Sequence, residues 1–240
     1  ALERYPPASR PGPYLVIGPT GERCNRVVRV GTRLGAAARR TIQRVPDADP
    51  DLRPVVSVVL PVRDGERYLA AAVDSVRSQS LAEFELIVVE NGSTDATPEL
   101  LERLAADDPR LVILRLGPVG LVAALNAGLQ AARGEFVARM DADDIAHPER
   151  FARQVAALRN DRRLVALGTA YRYIDPTGAR LGERRVPTRA KHVVASFHFG
   201  NPIAHSSMML APRRLHTPVE YSPERPDAED FELWVRLARQ

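Results

Sequence analysis

From Pro54 onward the sequence alternates apolar runs of strand length with segments of helical period, and this alternation restricts the fold more than any other feature. The run "PVVSVVLP" (54–61) is nearly continuous in apolar, mostly β-branched residues, the pattern of a strand covered on both faces. The next segment, "ERYLAAAVDSVRSQ", sets Leu69, Ala72, Val73 and Val76 at helical spacing, so one stripe faces a sheet. The cycle then repeats. Strand "FELIVVE" (84–90) precedes a helix from Thr97 with Pro98 at its first position; strand "LVILRL" (111–116) precedes the helix "LVAALNAGLQAAR", and strand "EFVARM" (135–140) follows. Gly128 reads as a packing residue of that helix and Gly134 as its cap. Four such units predict an α/β fold, a doubly wound, Rossmann-like, mostly parallel sheet flanked by helices.

Beyond this core, Pro148 is expected to open a helix running to about Asn160, and "RLVALGTAYRYID" reads as one strand turning at "DPTG". A last helix begins near Glu229, with Phe231, Trp234, Val235 and Ala238 as its apolar stripe. Residues 1–53 differ in character. They read as an accessory segment, two short strands around a Gly-Pro turn and a short basic helix, joined through "PDADPDLRP" to a domain covering 54–240. The sequence stops within the helix-like "LWVRLARQ", which suggests a domain truncated at its C-terminus.

Composition narrows the function. With 45% hydrophobic and 27% charged residues the chain belongs to the globular class. Its net charge of +4 comes almost entirely from arginine, Lys191 being the single lysine. Guanidinium groups suit phosphates or an anionic membrane surface, so peripheral membrane association is compatible with the charge. No dense basic run with interleaved aromatics is present, which argues against a nucleic-acid partner. The lone Cys24 excludes an intramolecular disulfide framework and a cysteine zinc site. No stretch approaches the ~18 apolar residues of a membrane span, so a cytoplasmic protein, or one at the cytoplasmic face of a membrane, is expected.

Three polar clusters fall where an open α/β sheet collects ligands, at the carboxyl ends of its strands. "RMDADD" crowds Asp141, Asp143 and Asp144 behind the fourth strand. In extended chain, residues two apart share a face, so Asp141 and Asp143 are expected together and Asp144 opposite. Two such carboxylates suit Mg²⁺ or Mn²⁺ completed by a ligand's phosphates. The alternative is a capping role at the Pro148 helix, which accounts for one carboxylate only. "ENGSTD" (90–95) follows the second strand and offers Glu90, Asn91 and Ser93; turn and cap roles would explain it equally. The third, "DAEDFELWVRL", places Glu229 and Asp230 in the first turn of the last helix, where the helix dipole alone favours acids.

Taken together, "VSVVLPVRDGERYLAAAVDSV", "FELIVVENGSTDAT", "GLVAALNAGLQAARGEFVARMDADDIAHPERF" and "EDFELWVRL" resemble the successive motifs of family 2 glycosyltransferases of the GT-A fold, from about Val55 to the end. The resemblance implies an inverting, metal-dependent transfer of a sugar from a nucleotide-diphosphate donor to a hydroxyl of a carbohydrate, lipid-linked or protein acceptor, in cell-surface polysaccharide or glycoconjugate synthesis. It implies Asp143 and Asp141 toward Mn²⁺ or Mg²⁺, and Pro61, Arg63, Glu90, Asn91, Ser93, Arg139 and Asp141 around the nucleotide sugar. Asp230 becomes the general base, with Glu229 and His205 on the acceptor or diphosphate side. Arg139 neutralises the acids or reaches a phosphate, with a structural salt bridge as the alternative; a packing role for His205 and a helix-surface bond for Asn126 are the plainer readings. Two departures stand out. Glu90-Asn91 replaces the usual Asp-Asp, and an Asn amide matches uracil or thymine better than guanine, which points to UDP or dTDP. Arg63-Asp64 replaces Tyr-Asn, leaving Arg63 to stack on a base or face solvent. Two rivals remain: a nucleotide-binding relative without activity, and a sugar-nucleotide pyrophosphorylase, which would want more than Gly65 in the first loop.

Overall fold

The computed structural model describes residues 14–17 and 53–239. Four strands, β2 (Val56–Val62), β3 (Phe84–Asn91), β4 (Leu111–Leu116) and β5 (Phe136–Arg139), run parallel in the order β5-β2-β3-β4. Beyond β5 the sheet continues antiparallel through β9 (Met209–Leu210), β6 (Ala166–Thr169) and β1 (Tyr14–Ile17). The seven-stranded sheet thus has the expected parallel centre, extended on one side. The other elements expected within residues 1–53, a second strand, a basic helix and most of the linker, lie outside the described residues.

Burial on both faces explains the near-continuous apolar strands. On one face Val56, Val58 and Leu60 of β2 and Leu86 and Val88 of β3 meet α1 (Leu69–Arg77), α2 (Thr97–Asp107) and α4 (Arg150–Asn160). Leu69, Ala72, Val73 and Val76 form the buried stripe of α1, as their spacing predicts. On the other face Ile87, Val89, Val112 and Leu114 meet α3 (Leu121–Ala131), while Val59, Val137 and Leu210 meet α6 (Glu229–Leu237). A short helix, α5 (Ala190–Ser196), buries Val193 in the same cluster.

Three local expectations change. The strand foreseen through "RLVALGTAYRYID" breaks at Ala170: β6 is buried in the main sheet, whereas β7 (Tyr171–Ile174) leaves it to pair with β8 (Arg180–Arg184). The polar alternation Tyr-Arg-Tyr cannot be covered on two faces, and the Asp175–Gly178 turn offers it a hairpin partner. Gly134 does not cap α3, whose cap is Ala132; it lies where the chain crosses β2 so closely that an added Cβ would stand 2.6 Å from the Ser57 nitrogen. The stripe of α6 is Leu233, Trp234, Leu237 and Ala238, with Phe231 and Val235 only partly covered. Phe231 packs edge-on against Phe197 at 5.7 Å instead of entering the core.

Candidate active site

The chain runs from β2 outward to β4 and then returns to β5 on the other side of β2, which makes the carboxyl ends of β2 and β5 the switch point of the sheet. The loops after β2 and β3 meet there. Asp64 takes a left-handed φ of 52°, and in that conformation its carboxylate accepts the Thr94 N–H at 2.7 Å while its own N–H donates to Ser93 Oγ at 3.0 Å. Gly65 N–H donates to Thr97 Oγ1 at 2.8 Å. Glu66 and Asp95 reciprocate: each carboxylate accepts an N–H from the other loop, at 3.0 Å in both cases. Burial pushes the Asp95 carboxyl up, but the bonds from Thr97 and from the Glu66 N–H outweigh it and hold the pKa below its ordinary value.

Several candidates for the nucleotide are therefore fasteners of this rim. Pro61 is buried within β2. Glu90 accepts the Ser93 N–H at 2.5 Å, and Asn91 Oδ1 accepts the Val119 N–H at 3.0 Å. The Asn91 oxygen expected to meet a pyrimidine N3–H is thus already engaged with the loop after β4. Arg63 is exposed, 3.7 Å from the Asp64 carboxylate.

Across the crevice the acidic cluster assembles more fully than its spacing suggests. The chain does not stay extended after Met140; the Asp144 N–H bonds back to the Asp141 carbonyl at 3.4 Å, closing a turn. As a result Asp144 joins Asp141 and Asp143 instead of facing away, and all three offer a carboxylate oxygen within 4.8 Å of the others. The capping reading does not hold, because α4 begins at Arg150 behind Glu149 with no side-chain cap bond. Burial raises the Asp144 pKa, the charges of Asp141 and Asp143 add to this, and a hydrogen bond from Ser206 and the charge of Arg139 oppose it. Converging carboxylates of this kind fit a hard divalent cation, whose charge would relieve their repulsion.

Arg139, only 5% exposed, ion-pairs with Asp141 from beneath. The salt-bridge reading of this residue is the one observed, and it also neutralises part of the cluster. Behind it, Arg150 donates to the Arg139 carbonyl at 2.9 Å and is itself held by Gln154. Burial lowers the Arg150 pKa to about 10, with Asp144 opposing and Arg139 assisting.

The third cluster closes the site. His205 shares a 2.6 Å hydrogen bond between Nε2 and the Tyr221 hydroxyl, and Nδ1 stands 4.0 Å from Glu229. Burial, helped by the Arg139 charge, puts its pKa well below the ordinary histidine value, so the ring is neutral. Burial raises the Glu229 pKa, and the neighbouring Asp230 and Asp141 charges push the same way. Burial also raises the pKa of the Tyr221 hydroxyl. The acidic turn and the start of α6 are linked through consecutive residues, Ser206 bonding the Asp141 N–H and His205 standing beside Glu229. Asn126 takes the structural role expected of it, exchanging two hydrogen bonds with the Tyr221 backbone at 2.8 and 2.9 Å.

Two polar residues of the site carry no sequence signal. Asn201 donates to Asp230 Oδ2 at 2.7 Å, and Ser206 accepts the Asp141 N–H at 2.8 Å. Both belong to the irregular "NPIAHSS", in which His205 alone stands out by residue type.

Residues 57–216 match the family described as Glycosyl transferase family 2. The chain belongs to this family. It is 33% identical over 188 residues to EpsE of Bacillus subtilis, covering 77% of this chain and 66% of that protein. It is 29% identical over 188 residues to the O-antigen biosynthesis glycosyltransferase WbnJ of Escherichia coli, covering 78% and 72%. With the hyaluronan synthase of Pasteurella multocida it shares 24% identity over 200 residues, 83% of this chain but only 20% of that one. Among solved structures, S. aureus TarS 1-349 aligns with a TM-score of 0.57 at 20% identity, over 76% of this chain and 55% of that one. The mannosyltransferase PcManGT of Pyrobaculum calidifontis gives 0.55 at 23%, over 79% and 53%. These likenesses show a GT-A type fold for the family 2 chain.

Proposed function

We propose that this family 2 chain is the catalytic domain of an inverting glycosyltransferase that moves a sugar from a nucleoside-diphosphate donor to an acceptor hydroxyl in cell-surface polysaccharide or glycoconjugate synthesis. The observation that carries the reading is the convergence of Asp141, Asp143 and Asp144 at the β2/β5 switch point, linked through Ser206 and His205 to Glu229 at the start of α6. The relative WbnJ, described as an O-antigen biosynthesis glycosyltransferase, supports the setting.

In this reading Asp143 and Asp141 would hold Mn²⁺ or Mg²⁺, which would supply a Lewis acid toward the departing diphosphate; the solved PcManGT structure is a complex with GDP-Man and Mn²⁺. Arg139 holds Asp141 in place. Asp230 takes the acceptor proton as the hydroxyl oxygen attacks the anomeric carbon from the face opposite the leaving diphosphate, and the single base suffices for inversion. Glu229 lies between Asp230 and His205 and lines the acceptor side.

UDP or dTDP is the donor class we favour. Glu90 keeps one carboxylate oxygen on the Ser93 N–H, and Asn91 uses its oxygen on Val119. The Asn91 amide, with its donors and the second lone pair of its oxygen, can answer one carbonyl and one N–H of a pyrimidine, whereas an amide at this position offers no carboxylate to the paired donors of guanine.

The test is a thermal-shift panel of UDP, dTDP, GDP and CDP, each with Mn²⁺ and with chelator, since a ligand that binds only the folded state raises its stability. A metal-dependent rise with UDP or dTDP is expected. Selective stabilisation by GDP would overturn the donor class, and no shift with any nucleotide would favour a relative without donor binding.

A further inference from the structure

We propose that Ser206 is a positioning residue of the acidic turn: its hydroxyl oxygen accepts the Asp141 backbone N–H at 2.8 Å and so anchors the start of the turn on which Asp141, Asp143 and Asp144 converge. The inference rests on reading that cluster as the metal site.

The argument begins from repulsion. Three carboxylates within 4.8 Å of one another push the turn open, and the Asp144 N–H to Asp141 carbonyl bond of 3.4 Å is long for a closing contact. A second bond fixes where the turn begins, from the Asp141 N–H to Ser206 Oγ at 2.8 Å. Its placement follows from the sheet. β9 pairs with β5 in the register Ala138↔Met209, and the Arg139 N–H donates to the Met208 carbonyl at 2.9 Å. The short helical turn His205–Ser207 just before β9 is thereby carried alongside the segment that follows β5.

The adjacent serine shows that the position is specific. Ser207 is buried and turns its hydroxyl inward, donating to the Ala204 carbonyl at 2.8 Å and accepting the Thr169 N–H at 3.4 Å. Ser207 serves the fold, whereas Ser206 serves the acidic turn. Residues that orient the ligands of a metal in this way typically change its affinity about 10- to 100-fold when removed.

The experiment measures the Mn²⁺ concentration that gives the half-maximal thermal shift in excess UDP, for the wild type and for Ser206→Ala, Ser206→Thr, Ser207→Ala and Asp143→Ala, with the melting temperature in chelator as the measure of fold. For Ser206→Ala the half-saturating Mn²⁺ is expected to rise about 10- to 100-fold with little change in the chelated melting temperature. Ser206→Thr, which keeps the hydroxyl, restores most of the affinity. Ser207→Ala lowers the chelated melting temperature and leaves the Mn²⁺ requirement in place. A wild-type Mn²⁺ response that Ser206→Ala leaves unchanged overturns the inference alone. A wild type with no Mn²⁺ response, or one that Asp143→Ala retains in full, overturns the metal reading and the inference with it. If Ser206→Ala does not fold, Ser206→Cys keeps a similar volume with a weaker acceptor; an unchanged Mn²⁺ requirement in that variant also overturns the proposal.

Discussion

Asn201 Nδ2 donates to Asp230 Oδ2 at 2.7 Å while the Phe231 N–H donates to Oδ1 at 2.6 Å, so both oxygens of the carboxylate that opens α6 are held in place. A carboxylate fixed in this way can receive a proton along one direction, which is what a base for a docked hydroxyl requires. Asp230→Asn keeps the size, removes the proton acceptor and gives up one of these two bonds, because its amide nitrogen cannot accept. Turnover is expected to fall by on the order of 10²- to 10⁴-fold, the usual worth of general-base catalysis, while calorimetry of UDP with Mn²⁺ finds donor binding unchanged. Unchanged turnover would remove Asp230 from this role.

Two glycines separate backbone from side-chain crowding. A Cβ at Gly128 would stand 2.5 Å from Val59 Cγ1 and 3.2 Å from Val89 Cγ2, both side-chain atoms that can shift. Helix propensity favours alanine there by about 1 kcal/mol and overpacking opposes it by about 1 to 3, so Gly128→Ala should cost about 2 kcal/mol or less. At Gly134 the nearest atoms are the Ser57 nitrogen at 2.6 Å and the Phe136 oxygen at 2.9 Å, which no rotamer change can move. Gly134→Ala should therefore cost more, about 3 kcal/mol, and urea unfolding of the two variants should rank them in that order. The reverse ranking would mean that the crossing at Gly134 yields more easily than the α3 contact.

Gln154 connects the sheet to the support of the acidic turn. It is fully buried, accepts Arg150 Nε at 3.0 Å, and donates to the Leu167 and Ser207 carbonyls at 2.7 and 3.0 Å. Leucine fills a similar volume but leaves a buried guanidinium and two carbonyls without these partners, at about 1 to 3 kcal/mol for each group left unsatisfied. Gln154→Leu is expected to lose about 3 to 5 kcal/mol in total, since the three are not independent. Differential scanning calorimetry should then show a melting temperature lower by roughly 10 °C for a domain of this size. A loss under about 1 kcal/mol would mean that solvent or a rearranged Arg150 supplies the missing bonds.

The parallel centre was legible because β2 to β5 are buried on both faces and their helices carry clear stripes, as Leu69, Ala72, Val73 and Val76 do. The antiparallel extension was not, since β9 is only Met209–Leu210, too short for any period to register. The site divides in the same way. Asp141 and Asp143 stood out by type and place, but Asp144 joins them only because the chain turns, and a spacing rule for extended chain cannot foresee that. Asn91 drew attention by its amide chemistry, and the structure adds a partner that the sequence does not show, the Val119 N–H, 28 positions away, on its oxygen. Asn201 and Ser206 are ordinary loop residues in sequence; Ser206 acquires a role only once β9 is laid beside β5, and Asn201 only once α6 brings Asp230 to it.

Acid sensitivity should trace in part to Asp108, at the end of α2. Burial pushes its pKa up, but the Arg110 guanidinium and N–H, together with the charge of Arg77, outweigh this and hold the carboxyl below its ordinary value. Arg110 grips it with Nε on Oδ1 at 3.0 Å and a terminal nitrogen on Oδ2 at 2.9 Å. A depressed folded pKa means that the unfolded chain binds the proton more readily, so the stabilisation is complete above the unfolded value of about 3.9 and is lost as pH falls through the folded one. Asp108→Asn should accordingly be less stable than the wild type by a constant margin from about pH 5 to 7. In urea titrations at lower pH the two curves should draw together, beginning near about pH 4. A margin that stays constant down to about pH 2 would show that the Arg110 contact contributes through shape alone.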